Sequence, residues 1–343
     1  MIGRNKEKNE LNILYNSDRS QLIAIYGRRR VGKTYLVDQV FNNKFAFRHA
    51  GLSPVELKGA GENSPFQEQL THFYNSLILY GMEQAECPDN WLDMFLQLEL
   101  FLESKDDGSR QVVFLDELPW MDTHKSGFMT AFEGFWNNWG CHRDNMMVIV
   151  CGSATSWITD RLINNHGGLY NRLTYEIKLS PFSLCETEEY LKHANINLSR
   201  YDIVQAYMVT GGIPYYLSYF RQGKSLPQNI DELFFSKNAK LKNEFDRLFY
   251  SAFANPEMMI SIVKVLNTRN SGYTRQEIAD LIGYTAGGRL SAALNALIES
   301  DFVIKYVPFG YSKRKEHYRL TDAFCLFYLK FVDNQKKLLS SFW

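Results

Sequence analysis

The sequence lacks three features that mark whole classes of protein: an excess of charge of one sign, closely spaced cysteines and long apolar runs. Its 38 Lys and Arg residues balance 38 Asp and Glu residues. This balance argues against a uniformly basic nucleic-acid-binding surface but permits a local basic patch. No apolar run reaches the roughly 18 residues of a membrane span, and residues 1–7 are polar, unlike a signal peptide. We therefore expect no membrane association.

Cysteine is scarce and scattered. The five cysteines are Cys87, Cys141, Cys151, Cys185 and Cys325, and none forms a C-x-x-C pair. Neither a zinc site nor a disulfide framework is therefore expected. An odd number of unpaired thiols fits a reducing compartment, so we expect a cytoplasmic protein.

The sequence does have the length and composition of a globular protein. Its 343 residues, 45% hydrophobic and 22% charged, provide for two or three domains. In the first half, short apolar runs alternate with longer amphipathic segments, which predicts parallel strands and covering helices. The predicted strands are 21–26, 45–50, 111–115, 146–151 and 175–179, and the predicted helices are 32–41, 65–80, 91–103 and 127–139. This pattern predicts an α/β fold, with a three-layer αβα core around a parallel sheet.

The pattern changes twice in the second half. From residue 183 to about 255 only helical periodicity is present, with breaks at Gly211, Gly212 and Pro227. Three helical stretches then precede two strands, the order of a winged helix-turn-helix. These five elements are predicted at 257–267, 275–282, 289–300, 302–307 and 316–320. The predicted segments are a core at 1–182, an all-helical lid at 183–254, a winged helix at 255–321 and a final segment at 322–343.

Residues 27–34, GRRRVGKT, match the phosphate-binding pattern G-x-x-x-x-G-K-[ST] in full. A predicted strand precedes this phosphate loop and a predicted helix follows it, as the motif requires. Gly27 and Gly32 permit turns that aim backbone N–H groups at an anion, and the helix adds its positive end. Lys33 is expected to bridge the β- and γ-phosphates, and Thr34 to ligate Mg²⁺. The sequence thus predicts a P-loop core.

The remaining loop residues complete this nucleotide site. Arg30 and Val31 within the loop, and Tyr35 just after it, are included among the binding residues. The side chains of the three loop arginines are expected to point outward. No individual arginine is therefore assigned a phosphate contact.

Two acids, Asp116 and Glu117, follow the apolar run 112–115. Charge at the end of a buried strand must be solvated or paired. In P-loop proteins the strand beside the loop ends in an Asp that holds Mg²⁺. We therefore assign Asp116 to the metal and Glu117 to the deprotonation of the attacking water, which favours hydrolysis. The alternative is an ordinary strand exit into a loop.

Ser153 follows the next predicted strand along the chain. A polar side chain there senses the γ-phosphate or positions the attacking water. Alternatively, it caps a helix over residues 154–161. The sequence leaves both interpretations open.

In this order, the elements resemble the archaeal-type P-loop ATPases of the AAA+/STAND group. Residues 2–7 resemble the opening hGRxxE box of that family, which implies that Gly3 and Arg4 lie against the adenine. Further motifs of the family, GSA, LYxR, LxPF and GGxP, are similar to residues 152–154, 167–172, 179–182 and 211–216. The last motif implies a binding role for Pro214 in the lid. The resemblance covers nearly the whole chain and implies ATP or ADP with Mg²⁺ as the ligands.

Two departures from that family pattern matter. No convincing arginine finger is present: Arg172 is the best candidate, and the alternative is an ion pair with Glu176 or Asp160. Relatives usually continue into a restriction-endonuclease-like domain, whose opening is similar to residues 318–324. This chain ends at Trp343, so we expect either that this domain is absent or that the sequence is a piece cut from a longer chain, and we predict no nuclease chemistry.

Charge is unevenly divided along the chain. Residues 255–343 hold 12 Lys and Arg against 8 Asp and Glu, whereas residues 1–254 hold 26 against 30. DNA contacts through phosphates are one interpretation of the basic end of the chain. The candidates are Arg289 in the predicted recognition helix and Lys313, Arg314 and Lys315 at the wing tip. The alternatives are a solvated hairpin and a protein-interaction module.

These patterns together predict an Mg²⁺-dependent ATP-binding protein with slow ATPase activity. Its nucleotide state is expected to control the lid and the winged helix. The alternative is a nucleotide-gated DNA- or protein-binding switch with little turnover. A protein partner and a homo-oligomer both remain open.

Overall fold

The computed structural model describes residues 2–57, 64–164, 167–253, 255–310 and 315–333. The chain divides into two compact units. One comprises residues 3–27 and 33–179, and the other comprises residues 28–32 and those from 180 onward. The predicted boundaries at 254 and 321 stay predictions. Within the described residues, no helix is long and apolar enough to cross a membrane.

The first unit is an α/β structure, as predicted. Its strands are β1 (Gln21–Tyr26), β2 (Phe47–Ala50), β3 (Gln111–Asp116), β4 (Met146–Gly152) and β5 (Tyr175–Lys178). They pair in parallel in the order β2-β3-β4-β1-β5. Alternate residues of a strand face opposite sides of a sheet. Both the Leu22 and Ala24 side and the Ile23 and Ile25 side of β1 are fully buried, so this sheet is covered on both faces.

The helices of the first unit follow the predicted pattern, with short additions. They are α1 (Asn5–Tyr15), α2 (Lys33–Phe41), α3 (Pro54–Leu57), α4 (Pro65–Leu79), α5 (Trp91–Ser104), α6 (Leu118–Met121), α7 (Phe128–Gly134) and α8 (Thr155–Ile158). A π-helical turn at Phe135–Trp139 extends α7, a 3₁₀ turn at Gly140–His142 follows it, and a π-helical turn at Thr159–Ile163 extends α8. Helices α1, α3 and α6 were not predicted; α3 and α6 have four residues each, which carry too little periodicity. Helix α8 lies within the stretch 154–161, for which the sequence left a helix open.

An aromatic cluster forms much of the core of the first unit. Trp91 of α5 meets Phe128 of α7 edge to face, with ring centroids 4.9 Å apart. Phe95, one turn further along α5, lies 5.2 Å from Phe135. Edge-to-face and offset aromatic pairs stabilise a core beyond their buried area. The high aromatic content of the sequence is used here to hold the helices that cover the sheet.

The second unit is mainly helical. Its helices are α9 (Leu184–His193), α10 (Arg200–Thr210), α11 (Pro214–Leu217), α12 (Leu226–Ile230), α13 (Glu244–Ala252), α14 (Pro256–Leu266), α15 (Arg275–Ile282), α16 (Gly288–Glu299) and α17 (Ala323–Phe327). π-Helical turns at Asp231–Phe235 and Tyr328–Val332 extend α12 and α17. Helices α14, α15 and α16 pack against one another.

A small antiparallel sheet accompanies these three helices. It consists of β6 (Tyr273–Thr274), β7 (Val303–Tyr306) and β8 (His317–Leu320), in the order β6-β8-β7. The sequence predicted only the last two strands, because a two-residue strand has no detectable period. Gly272 precedes β6 at φ 68°, where an added Cβ would lie 2.1 Å from the Tyr318 carbonyl oxygen. The order of helices and strands matches the prediction, and their assignment as a winged helix stays a prediction.

Candidate functional site

Three neighbouring strands of the first unit bring the predicted site residues to one edge of the sheet. Strand β4 lies between β3 and β1, and all three run in the same direction. Gly27 follows β1, Asp116 ends β3, and Ser153 follows β4. Ligands of open α/β sheets bind at the carboxyl ends of the strands. The topology therefore assembles residues that are far apart in the sequence.

The first glycine of the phosphate loop is required by its surroundings. Gly27 has φ 140°, and a Cβ added there would lie 2.3 Å from the Leu179 carbonyl oxygen. The adjacent Leu179 N–H donates to the Tyr26 carbonyl oxygen at 2.7 Å. A larger residue at position 27 would push the chain after β5 away from β1. The glycine thus fixes the course of the loop where it leaves the sheet.

Lys33 opens α2 and is buried, with 6% of its surface exposed. Its Nζ donates a hydrogen bond to the Gly27 carbonyl oxygen at 2.9 Å. The lysine ammonium therefore lies along the loop, between its two ends. A buried ammonium at a helix N-terminus is a strong attractor for an anion.

Thr34 and Asp116 place two oxygen atoms side by side. Thr34 Oγ1 donates a hydrogen bond to Asp116 Oδ2 at 2.7 Å. Burial raises the pKa of Asp116, and the charge of Glu117 raises it further, although Thr34 and Lys33 act in the opposite direction. The charged form of Asp116 is therefore disfavoured at this site, mainly by burial, and a cation bound beside it would favour that form. Hydroxyl and carboxylate oxygens are the ligands that Mg²⁺ prefers, so these residues fit a magnesium ion.

Glu117 occupies a strained backbone position beside Asp116. Its φ of 47° and ψ of 46° are left-handed, and it caps the N-terminus of α6 with its backbone only. Its side-chain Oε2 accepts hydrogen bonds from the Ser153 N–H at 3.0 Å and from Ser153 Oγ at 2.8 Å. Left-handed residues other than glycine persist where their surroundings over-determine them, often at functional sites.

The structure excludes one of the two interpretations of Ser153, the helix cap, and its role towards the γ-phosphate or the attacking water stays a prediction. The residue that caps α8 is Ala154, which makes no side-chain cap hydrogen bond. The capping alternative for Ser153 is therefore wrong. Its buried hydroxyl is used instead to fix the carboxylate of Glu117.

Several predicted residues lie outside this hydrogen-bonded group. Gly3 and Arg4 have φ 62° and 58° and precede α1, with Arg4 at its N-cap. Tyr35 is exposed on α2, and Pro214 is the first residue of α11 in the second unit. Val31 is buried, at 1% exposure. Their roles towards adenine and phosphate stay predictions.

Arg172 lies exposed in the turn after Leu169, whose carbonyl oxygen accepts its backbone N–H at 3.0 Å. In the part of the chain that the structure describes, its side chain makes no ion pair with Glu176 or Asp160. The structural alternative for this arginine is thus absent there. Its role as an arginine finger stays a prediction.

The candidate DNA contacts are placed only in part. Arg289 is exposed in the first turn of α16, and Lys315 is exposed just before β8. Lys313 and Arg314 lie outside the described residues.

The sequence did not reveal the partners of the loop arginines. Arg28 forms an ion pair with Asp322, and Arg30 forms one with Glu244. All four residues belong to the second unit. The three arginines in this eight-residue loop could have indicated such ion pairs, because a buried guanidinium group requires an acidic partner. Sequence patterns do not indicate which acids these are.

Two solved structures are similar to this chain over nearly its whole length. The Walker-type ATPase Paby2304 of Pyrococcus abyssi is 18% identical, with a TM-score of 0.67 and 96% of each chain covered. The ORC2 protein of Aeropyrum pernix, in ADPNP–ADP complexes, is 15% identical, with a TM-score of 0.56 and coverage of 98% of this chain and 95% of that one. At these identities the similarity shows the fold alone.

Sequence comparison extends this result. The uncharacterized protein MJECL04 of Methanocaldococcus jannaschii is 26% identical over an alignment of 339 positions, which covers 96% of this chain and 68% of that protein. Residues 1–220, more than half of the chain, match the family model described as an ATPase domain predominantly from Archaea. The chain therefore belongs to this family of ATPase domains.

Proposed function

We propose that this protein binds and hydrolyses ATP with Mg²⁺, and that its nucleotide state controls the helical lid and the winged-helix segment. The observation that carries the proposal is the group at the strand ends. Thr34 bonds to Asp116, and Ser153 bonds to Glu117, directly beside a complete phosphate loop. This group supplies an anion site, a cation site and a base. Membership of an ATPase family supports the same conclusion.

Phosphate binding falls to the loop and the start of α2. The backbone N–H groups of residues 27–34 and the Lys33 ammonium hold the phosphates of ATP. Thr34 and Asp116 hold Mg²⁺, which offsets phosphate charge when it is bound. Gly3, Arg4 and Pro214 complete the nucleotide site, as the family resemblance implies.

Glu117 acts as the general base of hydrolysis. It accepts a proton from a water molecule whose oxygen forms a bond to the γ-phosphorus, while the bond from that phosphorus to the β–γ bridging oxygen breaks. The products are ADP and inorganic phosphate. Ser153 orients the Glu117 carboxylate through its N–H and its hydroxyl. Arg172, which is exposed, is the proposed source of additional positive charge.

Substitution of the loop lysine tests this proposal. Lys33→Ala removes a charge-assisted phosphate contact and is expected to weaken MgATP binding about 10- to 100-fold. Lys44→Ala, at an exposed position after α2, is the matched control and is expected to bind like the wild type. Isothermal titration calorimetry measures both, with circular dichroism to verify folding. Equal affinity of the Lys33→Ala protein and the wild type would overturn the proposal.

A nucleotide-gated DNA-binding switch with little turnover is the second candidate. It is favoured by the exposure of Arg289 and Lys315 beside a three-helix and hairpin arrangement. Binding of double-stranded DNA is expected to weaken steeply with salt and to differ between ATP and ADP. Neutralising Lys313, Arg314 and Lys315 together should flatten that salt dependence. A flat response in the wild type, or equal affinity with either nucleotide, would exclude this candidate.

A further inference from the structure

The middle of the phosphate loop groups with the second unit, although both ends of the loop belong to the first. The change of unit falls after Gly27 and again after Gly32. These two glycines have φ 140° and 92°. Glycine tolerates such angles at no steric cost. The four residues between them and Gly32 itself are held by contacts of a different origin from those that hold Gly27 and Lys33.

One of these contacts is the buried ion pair of Arg28 with Asp322. The two side chains are 2% and 4% exposed, and Arg28 NH1 meets Asp322 Oδ2. The guanidinium also lies over the Phe302 ring, 4.6 Å from its centroid. Asp322 uses its other oxygen, Oδ1, to accept the Cys325 N–H at 2.7 Å, which caps α17. The position of Arg28 is thus fixed by the start of a helix almost 300 residues away in the sequence.

Arg30 is held by a second acid. Its Nε lies 2.5 Å from Glu244 Oε1, and its guanidinium lies over the Tyr215 ring at 4.1 Å. Glu244 is buried at the start of α13, and the same oxygen accepts the Tyr216 hydroxyl at 3.0 Å. A buried carboxylate of this kind requires its cation, because either charge alone would be unsolvated.

The backbone of Arg30 shows that these contacts act on the loop. Its φ is 73°, a left-handed conformation that is unfavourable for a residue with a side chain. Such a conformation persists only where surrounding contacts impose it. The contacts found at Arg30 are those with Glu244 and Tyr215. They therefore stabilise a backbone shape that the loop sequence alone disfavours.

We infer that Glu244 and Asp322 are positioning residues of the phosphate loop, which hold Arg30 and Arg28 so that the loop keeps the shape that receives the nucleotide phosphates. The inference rests on the proposed nucleotide-binding function. It adds that affinity for nucleotide is set partly by two acids that touch no phosphate. A loop released from them samples other backbone conformations, so its N–H groups no longer converge before binding.

A double-mutant cycle on Arg30 and Glu244 tests the inference. Glu244→Gln keeps an acceptor for Tyr216 but removes the charge, and Arg30→Gln removes the cation. Each change is expected to weaken MgADP binding by the full-length protein about tenfold, measured by calorimetry below the unfolding temperature of every variant. The double variant should bind no more weakly than either single variant. Glu188→Gln, in an exposed ion pair with Lys192, is the control and should bind like the wild type.

Each outcome decides the matter. A merely structural role for Glu244 predicts lower thermal stability with unchanged affinity, or losses that multiply in the double variant, and either result would overturn the inference. If Lys33→Ala abolishes binding while Glu244→Gln and Arg30→Gln leave it unchanged, the inference fails and the proposed function stands. If the wild type binds no MgADP, both fail together.

Discussion

Buried carboxylates have neighbours of opposite charge sign in the two units. In the first unit, Asp116 is buried beside a second acid, Glu117, and its pKa is raised by burial and by that neighbour. In the second unit, Asp322 and Glu244 are also buried but each is paired with an arginine, and although burial raises the pKa of Glu244 too, Arg30 acts in the opposite direction. The first arrangement concentrates negative charge where a cation can offset it. The second neutralises its charge within the chain and thereby fixes a backbone segment.

This difference separates groups that act on a ligand from groups that hold the protein in shape. A substitution at the first kind should reduce hydrolysis with little loss of stability, whereas one at the second kind should lower both stability and nucleotide affinity. Five predictions test this distinction.

Glu117→Gln should produce the largest loss of activity. The amide cannot accept the proton of the attacking water, so kcat should fall about 10²- to 10⁴-fold. MgATP binding and thermal stability should change little. Phosphate release measures the rate, with Glu83→Gln at an exposed position as control. An unchanged kcat would show that Glu117 is not the base.

Asp322→Asn should produce the largest loss of stability. The asparagine still caps α17, but Arg28 is left as a buried charge without its partner, which costs about 3–5 kcal/mol. Urea unfolding followed by circular dichroism measures the change. Conversion of both Arg28 and Asp322 to apolar residues should recover much of it. A single variant as stable as the wild type would contradict the comparison.

His49 extends the comparison to a buried base. It lies against Phe73 and His72, with ring centroids 4.7 and 4.8 Å away. Burial, aided by His72, lowers its pKa to about 3. The unfolded chain gains a proton as the pH falls below about 6.5, whereas the folded chain does not, so stability falls by about 2 kcal/mol between pH 7 and pH 5. His49→Gln should remove that part of the pH dependence of unfolding.

Asp116→Asn should raise stability, the opposite of Asp322→Asn. The pKa of Asp116 is raised in the folded state. As the pH rises from the ordinary pKa of an aspartate towards this raised pKa, the unfolded chain loses the proton before the folded chain does, so the free energy of unfolding falls. The neutral amide removes that effect, with an expected gain of about 2–4 °C in Tm at pH 7 in the absence of Mg²⁺. Mg²⁺-dependent nucleotide binding should weaken at the same time. A lower Tm would show that Asp116, like the arginine-paired acids Asp322 and Glu244, stabilises the folded protein.

Ser153→Ala should have the smallest effect. Loss of the hydroxyl leaves Glu117 with the backbone N–H of residue 153 as its remaining bond to that residue. Loss of one hydrogen bond of ordinary net strength, about 1 kcal/mol, corresponds to a fall of about fivefold in kcat. Ser153→Thr should restore the rate, because it returns the hydroxyl. A higher kcat in the alanine variant would contradict this prediction, because it would show that the Ser153 hydroxyl makes Glu117 a less effective base.

The sequence predicted what depends on local pattern. Residues 27–34 are contiguous and match a motif whose chemistry is known, and the amphipathic period gave Arg275–Ile282 at its observed limits. Strand β3 was predicted one residue short, because Asp116 is polar although it is buried and paired in the sheet. At such a residue the polar side chain predicts the end of the strand, whereas in the fold the strand continues and the side chain is buried.

The partners of Arg28 and Arg30 were beyond the reach of sequence reasoning. Nothing in a single sequence distinguishes Asp322 and Glu244 from the other acids of a chain that has 38. Such pairs depend on how distant segments pack, and so does the bond between Ser153 and Glu117. Asp, Glu and Ser are common residue types, so the roles of these positions become apparent only from the fold.

The matched ATPase region ends at residue 220, but the acids that hold the phosphate loop are at positions 244 and 322. A recombinant fragment cut at the family boundary would retain every motif residue from Gly27 to Ser153 and lose both counter-charges. Arg28 and Arg30 would then face water or each other instead of a carboxylate. For biochemical work, the smallest useful fragment of this ATPase therefore extends through α17.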